Sequence, residues 1–137
     1  MIIKDYQLVK SINSDSFQSY LIYGPNEGLV RENIDKIFKN FSNGMDCEKI
    51  NINGKKLDES ISVLFDEINT VSLFSEKKFI ILDSIKEKHA AIIENVLPLD
   101  LQNTCMVVKQ DNLTKSSSIR KLYESSKTHF CLACYED

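Results

Sequence analysis

Hydrophobic residues along this chain switch repeatedly between helical spacing and short continuous runs. Leu8, Val9 and Ile12 share one side of a short helical stretch from Lys4 to Ile12. Ser19-Tyr20-Leu21-Ile22-Tyr23 then reads as a strand closed by Gly24-Pro25. Val30, Ile34, Ile37, Phe38 and Phe41 recur at the spacing that gives a helix one apolar face, with Asn26 placed as its N-cap and Asn43-Gly44 ending it. Cys47 to Ile52 predicts a second strand with a turn at Asn53-Gly54, and Leu57, Ile61, Leu64, Phe65 and Ile68 predict a second helix of the same design. Phe79-Ile80-Ile81-Leu82, ended by Asp83, is an uninterrupted apolar run, as in a strand buried on both faces.

A third helical stretch runs from Lys86 to Leu97 and stops near Pro98. Cys105 to Val108 predicts a fourth strand, a helix from about Ser117 to Ser126 uses Ile119, Leu122 and Tyr123, and His129 to Ala133 forms a last strand. Strands alternating with helices of this length predict crossover units around a sheet. The expected fold is α/β: one three-layer α/β/α domain over residues 1–137, with a mostly parallel five-stranded sheet.

One stretch breaks the pattern. In Thr70-Val71-Ser72-Leu73-Phe74-Ser75-Glu76-Lys77-Lys78, a large apolar pair sits among hydroxyl and charged residues, between the second helix and the third strand. Such a pair either plugs the end of a sheet or offers an apolar wedge to a partner, and the pattern alone does not choose.

Charge and composition narrow the partners. Seventeen Lys and Arg against twenty Asp and Glu leave a net charge of −3. The basic residues are scattered, with small groups at Lys55-Lys56, Lys77-Lys78 and Arg120-Lys121, so there is no global field for nucleic acid. No apolar run has the length needed to cross a bilayer, and the start at Met1-Ile2-Ile3-Lys4 lacks signal-peptide character. The expected location is cytoplasmic, without membrane contact. Cys47, Cys105, Cys131 and Cys134, three of them in or beside predicted strands, read as small buried hydrophobes rather than disulfide partners.

The first strand and first helix are joined where nucleotide-binding α/β domains place a phosphate loop. That loop needs free backbone N–H groups, a lysine for the terminal phosphates and a Ser/Thr hydroxyl for magnesium. Here the connection is Gly24-Pro25-Asn26-Glu27-Gly28-Leu29-Val30-Arg31, and the places of the second glycine, the lysine and the hydroxyl hold Leu29, Val30 and Arg31. Pro25 removes a donor, and Glu27 sets an anion beside any phosphate. Arg31 reads as a solvated helix residue, with phosphate binding as its alternative. Asp83 stands where a magnesium-binding acid would, yet Ser84 and Ile85 follow it with no second carboxylate, so it reads as a capping or surface acid. The loop is that of a nucleotide-binding scaffold without its catalytic groups.

Other candidate chemistry is thinner. Cys131 and Cys134 have zinc-like spacing, but a structural zinc needs about four ligands and a second pair is absent. In a strand His129, Cys131 and Ala133 share one face and Cys134 turns away. His89 lies mid-helix without a nucleophile beside it and reads as a surface or half-buried residue. Ser116-Ser117-Ser118 reads as a loop ending in an N-cap.

Taken together these residues resemble the delta subunit family of the bacterial DNA polymerase III clamp loader, with an alphaproteobacterial cast. The resemblance rests on the run from Tyr20 to Glu32, on Ser72 to Lys78 leading into Phe79-Ile80-Ile81-Leu82, on Ser116 to Leu122, and on Cys134 to Asp137. It implies an AAA+-like N-terminal domain that hydrolyses no ATP, uses no cofactor or metal, and helps open the ring-shaped sliding clamp for loading onto DNA. In that family an apolar pair after the second long helix binds the clamp. Leu73 and Phe74 match it, with Ser72, Ser75, Glu76 and Lys77 as the polar rim. The family protein continues into a helical lid domain and a collar domain, through which other loader subunits join, and its DNA contact is mainly indirect. This chain stops before both domains, as a fragment would. Two other readings stand beside this one: a divergent nucleotide-binding domain using Arg31 and Asp83, and a structural module of a multi-subunit assembly.

Overall fold

In the computed structural model, which describes residues 1–13, 15–70 and 75–135, strands and helices alternate much as the spacing predicts. A 3₁₀ turn, Asp5–Gln7, leads into α1 (Leu8–Ser11), then β1 (Gln18–Tyr23), α2 (Glu27–Ser42) and β2 (Cys47–Asn53). There follow α3 (Gly54–Glu59), α4 (Val63–Asn69) and β3 (Lys77–Asp83). A second 3₁₀ turn, Glu87–His89, opens α5 (Ala90–Val96), and β4 (Thr104–Gln110), α6 (Ser118–Ser125) and β5 (Phe130–Ala133) complete the order.

The five strands form one sheet in the order β2-β3-β4-β1-β5, and every pairing within it is parallel. Parallel neighbours require crossovers, which bring helices onto both faces. On one face α1 and α2 bring Leu8, Val30, Ile37 and Phe41 against Tyr20, Ile22, Phe79 and Val107. On the other, Leu57, Leu64, Ile93 and Tyr123 of α3 to α6 cover Leu21, Ile80, Leu82 and Met106. Phe79, wholly buried, packs edge-on against Phe38 with ring centroids 5.1 Å apart. Local caps agree with the sequence: Asn26 Oδ1 accepts from the Leu29 N–H at 3.1 Å, and Ser117 Oγ accepts from the Arg120 N–H at 3.2 Å.

The second helix departs from expectation. It breaks after Glu59, with Ser60 extended, and resumes at Val63. Leu57 and Leu64 keep their core places, but Ile61 falls in the break and is 69% exposed. Ser60 and Ser62 supply the reason: their hydroxyls pair at 3.2 Å, and Ser62 Oγ donates to Asp66 Oδ2 at 3.2 Å, local bonds that compete with helix continuation. Asn53-Gly54 is not a free turn either. Asn53 Oδ1 caps α3 through the Lys56 N–H at 2.9 Å. A Cβ on Gly54 would lie 2.2 Å from the Ser84 carbonyl oxygen, so only glycine fits beneath the loop after β3.

Candidate functional site

Because the strands run parallel, their loops sort to two ends. The carboxyl end of the sheet holds the Gly24–Asn26 loop, Ser84 and Asp111. The amino end holds residues 43–46, 75–76 and 97–103. Strands of this length separate the two ends by about 20 Å. The Gly24–Asn26 loop and residues 75–76 therefore belong to opposite ends of the domain.

At the carboxyl end the loop is filled by the protein itself. Gly24 has φ of +140°, and a Cβ there would come 2.0 Å from the Cys134 carbonyl oxygen. The Cys134 N–H donates to Tyr23 O at 2.6 Å, and Cys134 O accepts from the Asn26 N–H at 3.3 Å. Gly24 N–H goes to Asp111 O at 3.2 Å, and Val30 N–H to Asn26 O at 3.0 Å. One donor that a phosphate loop would turn toward its ligand, the Asn26 N–H, is spent on the chain leaving β5, and the Gly24 N–H on the chain leaving β4. Beside the loop lies an open cavity of about 260 Å³ whose charged lining is Glu27, Arg31, Asp83, Lys109 and Asp111. Three carboxylates face two cations there. Pro25, Glu27, Gly28 and Arg31 are exposed, Asn26 and Leu29 half-buried, Val30 buried, and Glu27 to Arg31 form the first turns of α2.

Ser72, Leu73 and Phe74 lie outside the described residues. Ser75 is half-buried and Glu76 exposed. Lys77 corrects its expected place on a polar rim: it opens β3, is 7% exposed, and donates from Nζ to Phe41 O at 2.5 Å, with the ammonium 5.1 Å from the Phe41 ring. Lys78, next in the strand, points to the opposite face and donates to Glu67 O and Thr70 O. Both ammonium groups meet the carbonyl end of a helix, α2 for Lys77 and α4 for Lys78, where the dipole favours a cation. A signal for this exists in the sequence. Two lysines opening a strand buried on both faces must run inward and find carbonyls.

The histidines have structural partners. His89, expected at or near the surface, is 3% exposed. Its Nδ1 accepts from the Lys86 N–H at 2.8 Å and its Nε2 meets Asp58 Oδ1 at 2.8 Å. Lys88 Nζ lies 3.0 Å from the same oxygen, and these hydrogen bonds hold the Asp58 carboxyl below its ordinary pKa. His129 Nδ1 accepts from the Ser19 N–H at 2.9 Å, and its Nε2 donates to Leu97 O at 2.6 Å. Burial pushes its pKa down, opposed by the Leu97 bond. A histidine whose folded pKa lies below its unfolded value gives stability present above about pH 6.5 and lost as pH falls below it, because the unfolded chain takes up the proton first. The urea midpoint is accordingly expected to fall between pH 7.5 and 5, and His129→Asn, which keeps an acceptor for Ser19, to flatten that fall; an equal fall in both chains contradicts it. Burial raises the Cys131 thiol to about 11 and raises Cys134 as well, so neither is a ready thiolate. Among the described residues, no group of three or more His, Cys, Asp or Glu side chains is placed to hold a metal ion, and no helix is long and apolar enough to cross a membrane.

Comparison with known proteins agrees with this domain along its length. Residues 20–130 match the sequence profile of the family described as DNA polymerase III, delta subunit. A relative from Rickettsia prowazekii (strain Madrid E), named probable DNA polymerase III subunit delta, is 24% identical over 134 residues. The match covers 96% of this chain and 39% of the relative, so the chain spans about two fifths of that relative's length. With well over half of its residues inside the family profile, the chain belongs to the DNA polymerase III delta subunit family.

Proposed function

We propose that this chain is the N-terminal, AAA+-like domain of a clamp loader delta subunit, a non-catalytic cytoplasmic domain that docks on the bacterial sliding clamp and helps open it for loading onto DNA. The observation that carries the reading is the family match over residues 20–130, which includes the Ser72–Glu76 segment. Leu73 and Phe74 form the wedge, with Ser72, Ser75 and Glu76 around it. Each apolar side chain contributes about 1.5–3 kcal/mol on leaving water for an apolar pocket. A closed ring opens on binding only if the partner prefers the distorted interface, so no hydrolysis by this domain is needed. The other loader subunits and most DNA contact belong to lid and collar domains beyond these residues.

The Gly24–Arg31 loop supports a role without nucleotide, since the N–H groups of Gly24, Asn26, Leu29 and Val30 are committed to Asp111, Cys134 and Asn26. The cavity lined by Arg31 and Asp83 favours the rival reading of a divergent nucleotide site. Two calorimetric titrations of the chain separate the readings. Saturable binding to a bacterial sliding clamp and no saturable heat with ATP and magnesium are expected. Micromolar nucleotide binding without clamp binding would establish the rival.

A further inference from the structure

Two Asn-Gly pairs occur in the chain, Asn43-Gly44 and Asn53-Gly54. In such a pair no side chain on the second residue hinders its backbone nitrogen from reaching the asparagine side-chain amide, so the local sequence exposes both to the same chemistry. The fold separates them.

Asn53-Gly54 is closed. Asn53 ends β2 in register with Asp83, and its Oδ1 accepts the Lys56 N–H at 2.9 Å as the cap of α3. Gly54 is buried, and a Cβ there would lie 2.2 Å from Ser84 O and 3.1 Å from His89 Cε1. Turning the peptide between the two residues would break the cap and press the backbone against Ser84.

Asn43-Gly44 is open. Both residues are exposed between α2 and β2, and nothing lies within 4 Å of a Cβ placed on Gly44. Asn43 is the C-cap of α2, at φ +47° and ψ +45°, and its N–H donates to Lys39 O at 3.0 Å. Among the described residues, the Asn43 side-chain amide and the Gly44 N–H make no hydrogen bond. The turn is closed by the Met45 N–H to Ser42 O bond at 2.9 Å. Ring closure needs the peptide between Asn43 and Gly44 to rotate, and a glycine accepts the φ that results.

We infer that Asn43 is a site of spontaneous deamidation in the folded protein, and that the fold protects Asn53 from the same reaction. The Gly44 nitrogen attacks Asn43 Cγ: a C–N bond forms, the Cγ–Nδ2 bond breaks, and ammonia leaves carrying the former Gly44 amide proton. Solvent water then opens the cyclic imide at either carbonyl, giving aspartate or isoaspartate. The net exchange is water for ammonia, with a carboxylate gained at the C-cap of α2. The helix dipole disfavours an anion there, and isoaspartate lengthens the backbone of the turn.

The test ages the parent chain and Asn43→Gln at mildly alkaline pH, folded and in urea. Peptides spanning each pair are followed by mass for conversion of amide to acid, and isoaspartate is scored by enzymatic methylation. In the folded parent, conversion at Asn43 is expected to be about tenfold or more faster than at Asn53, whose reaction waits on local opening. In urea the two rates should come within about threefold, because only the neighbouring side chains then differ. Asn43→Gln should remove conversion from the first peptide and leave Asn53 slow. Equal rates in the folded parent, or a faster Asn53, overturn the inference. So does a rate ratio in urea as large as in the folded chain, since sequence and not fold would then set it. Conversion persisting in the first peptide of Asn43→Gln would place the reaction at another residue and overturn it too.

Discussion

Gly24→Ala is expected to destabilise the fold by about 3 kcal/mol or more, the combined scale of a strained backbone and an overpacked contact. The added Cβ would stand 2.0 Å from the backbone oxygen of Cys134, which cannot rotate away as a side chain could. That oxygen accepts the Asn26 N–H, and the Cys134 N–H continues the bonding of β1 through Tyr23 O, so moving it disturbs the β1–β5 junction. The φ of +140° adds strain for any L side chain. Gly44→Ala is the matched control, since its φ is also positive, at +79°, yet nothing lies within 4 Å of the new atom. Against a domain stability of about 5–15 kcal/mol, the first change removes a large share and the second about 1 kcal/mol. Chemical denaturation at constant m-value measures both. A loss below about 1 kcal/mol at Gly24 would mean that the β5 exit does not fill the loop as described.

That result bears on function as well as stability. The loop that would cradle phosphate has no lysine or hydroxyl at the required spacing, and its glycine is closed over by Cys134. The same Cys134 carbonyl that makes Gly24 irreplaceable accepts the Asn26 N–H, so that donor is held by the fold.

Much of this architecture is legible in the chain because periodicity is local. The apolar faces of Val30, Ile34 and Ile37 and the run from Phe79 to Leu82 name their elements without help from distant residues. The caps at Asn26 and Ser117 are legible for the same reason: a side-chain acceptor and an open helix end lie within three residues. The break between α3 and α4 was hidden by the spacing of Leu57, Ile61 and Leu64, which suits one helix, while Ser60 and Ser62 carry the opposing signal. Less could be known of contacts between distant residues. Cys134 against Gly24, His89 against Asp58 and Lys77 against Phe41 join residues that only the completed sheet brings together. Lys77 shows the consequence for the candidate site: a charge beside an apolar pair looks like a rim until the strand is seen to begin at that lysine.

Leu73 and Phe74 are the proposed clamp-docking pair. A buried pair at the centre of an interface is a typical hot spot, and truncating it removes both the apolar transfer and the exclusion of water around it. Alanine at both positions is expected to cost at least about 2 kcal/mol of clamp binding, or about 30-fold in Kd. The most direct measurement is the Kd of the parent chain and of Leu73→Ala/Phe74→Ala for a bacterial sliding clamp, with matched thermal melts to establish that both are folded. A rise of about 30-fold or more in the variant is the predicted result; an unchanged Kd in a folded variant would contradict the assignment.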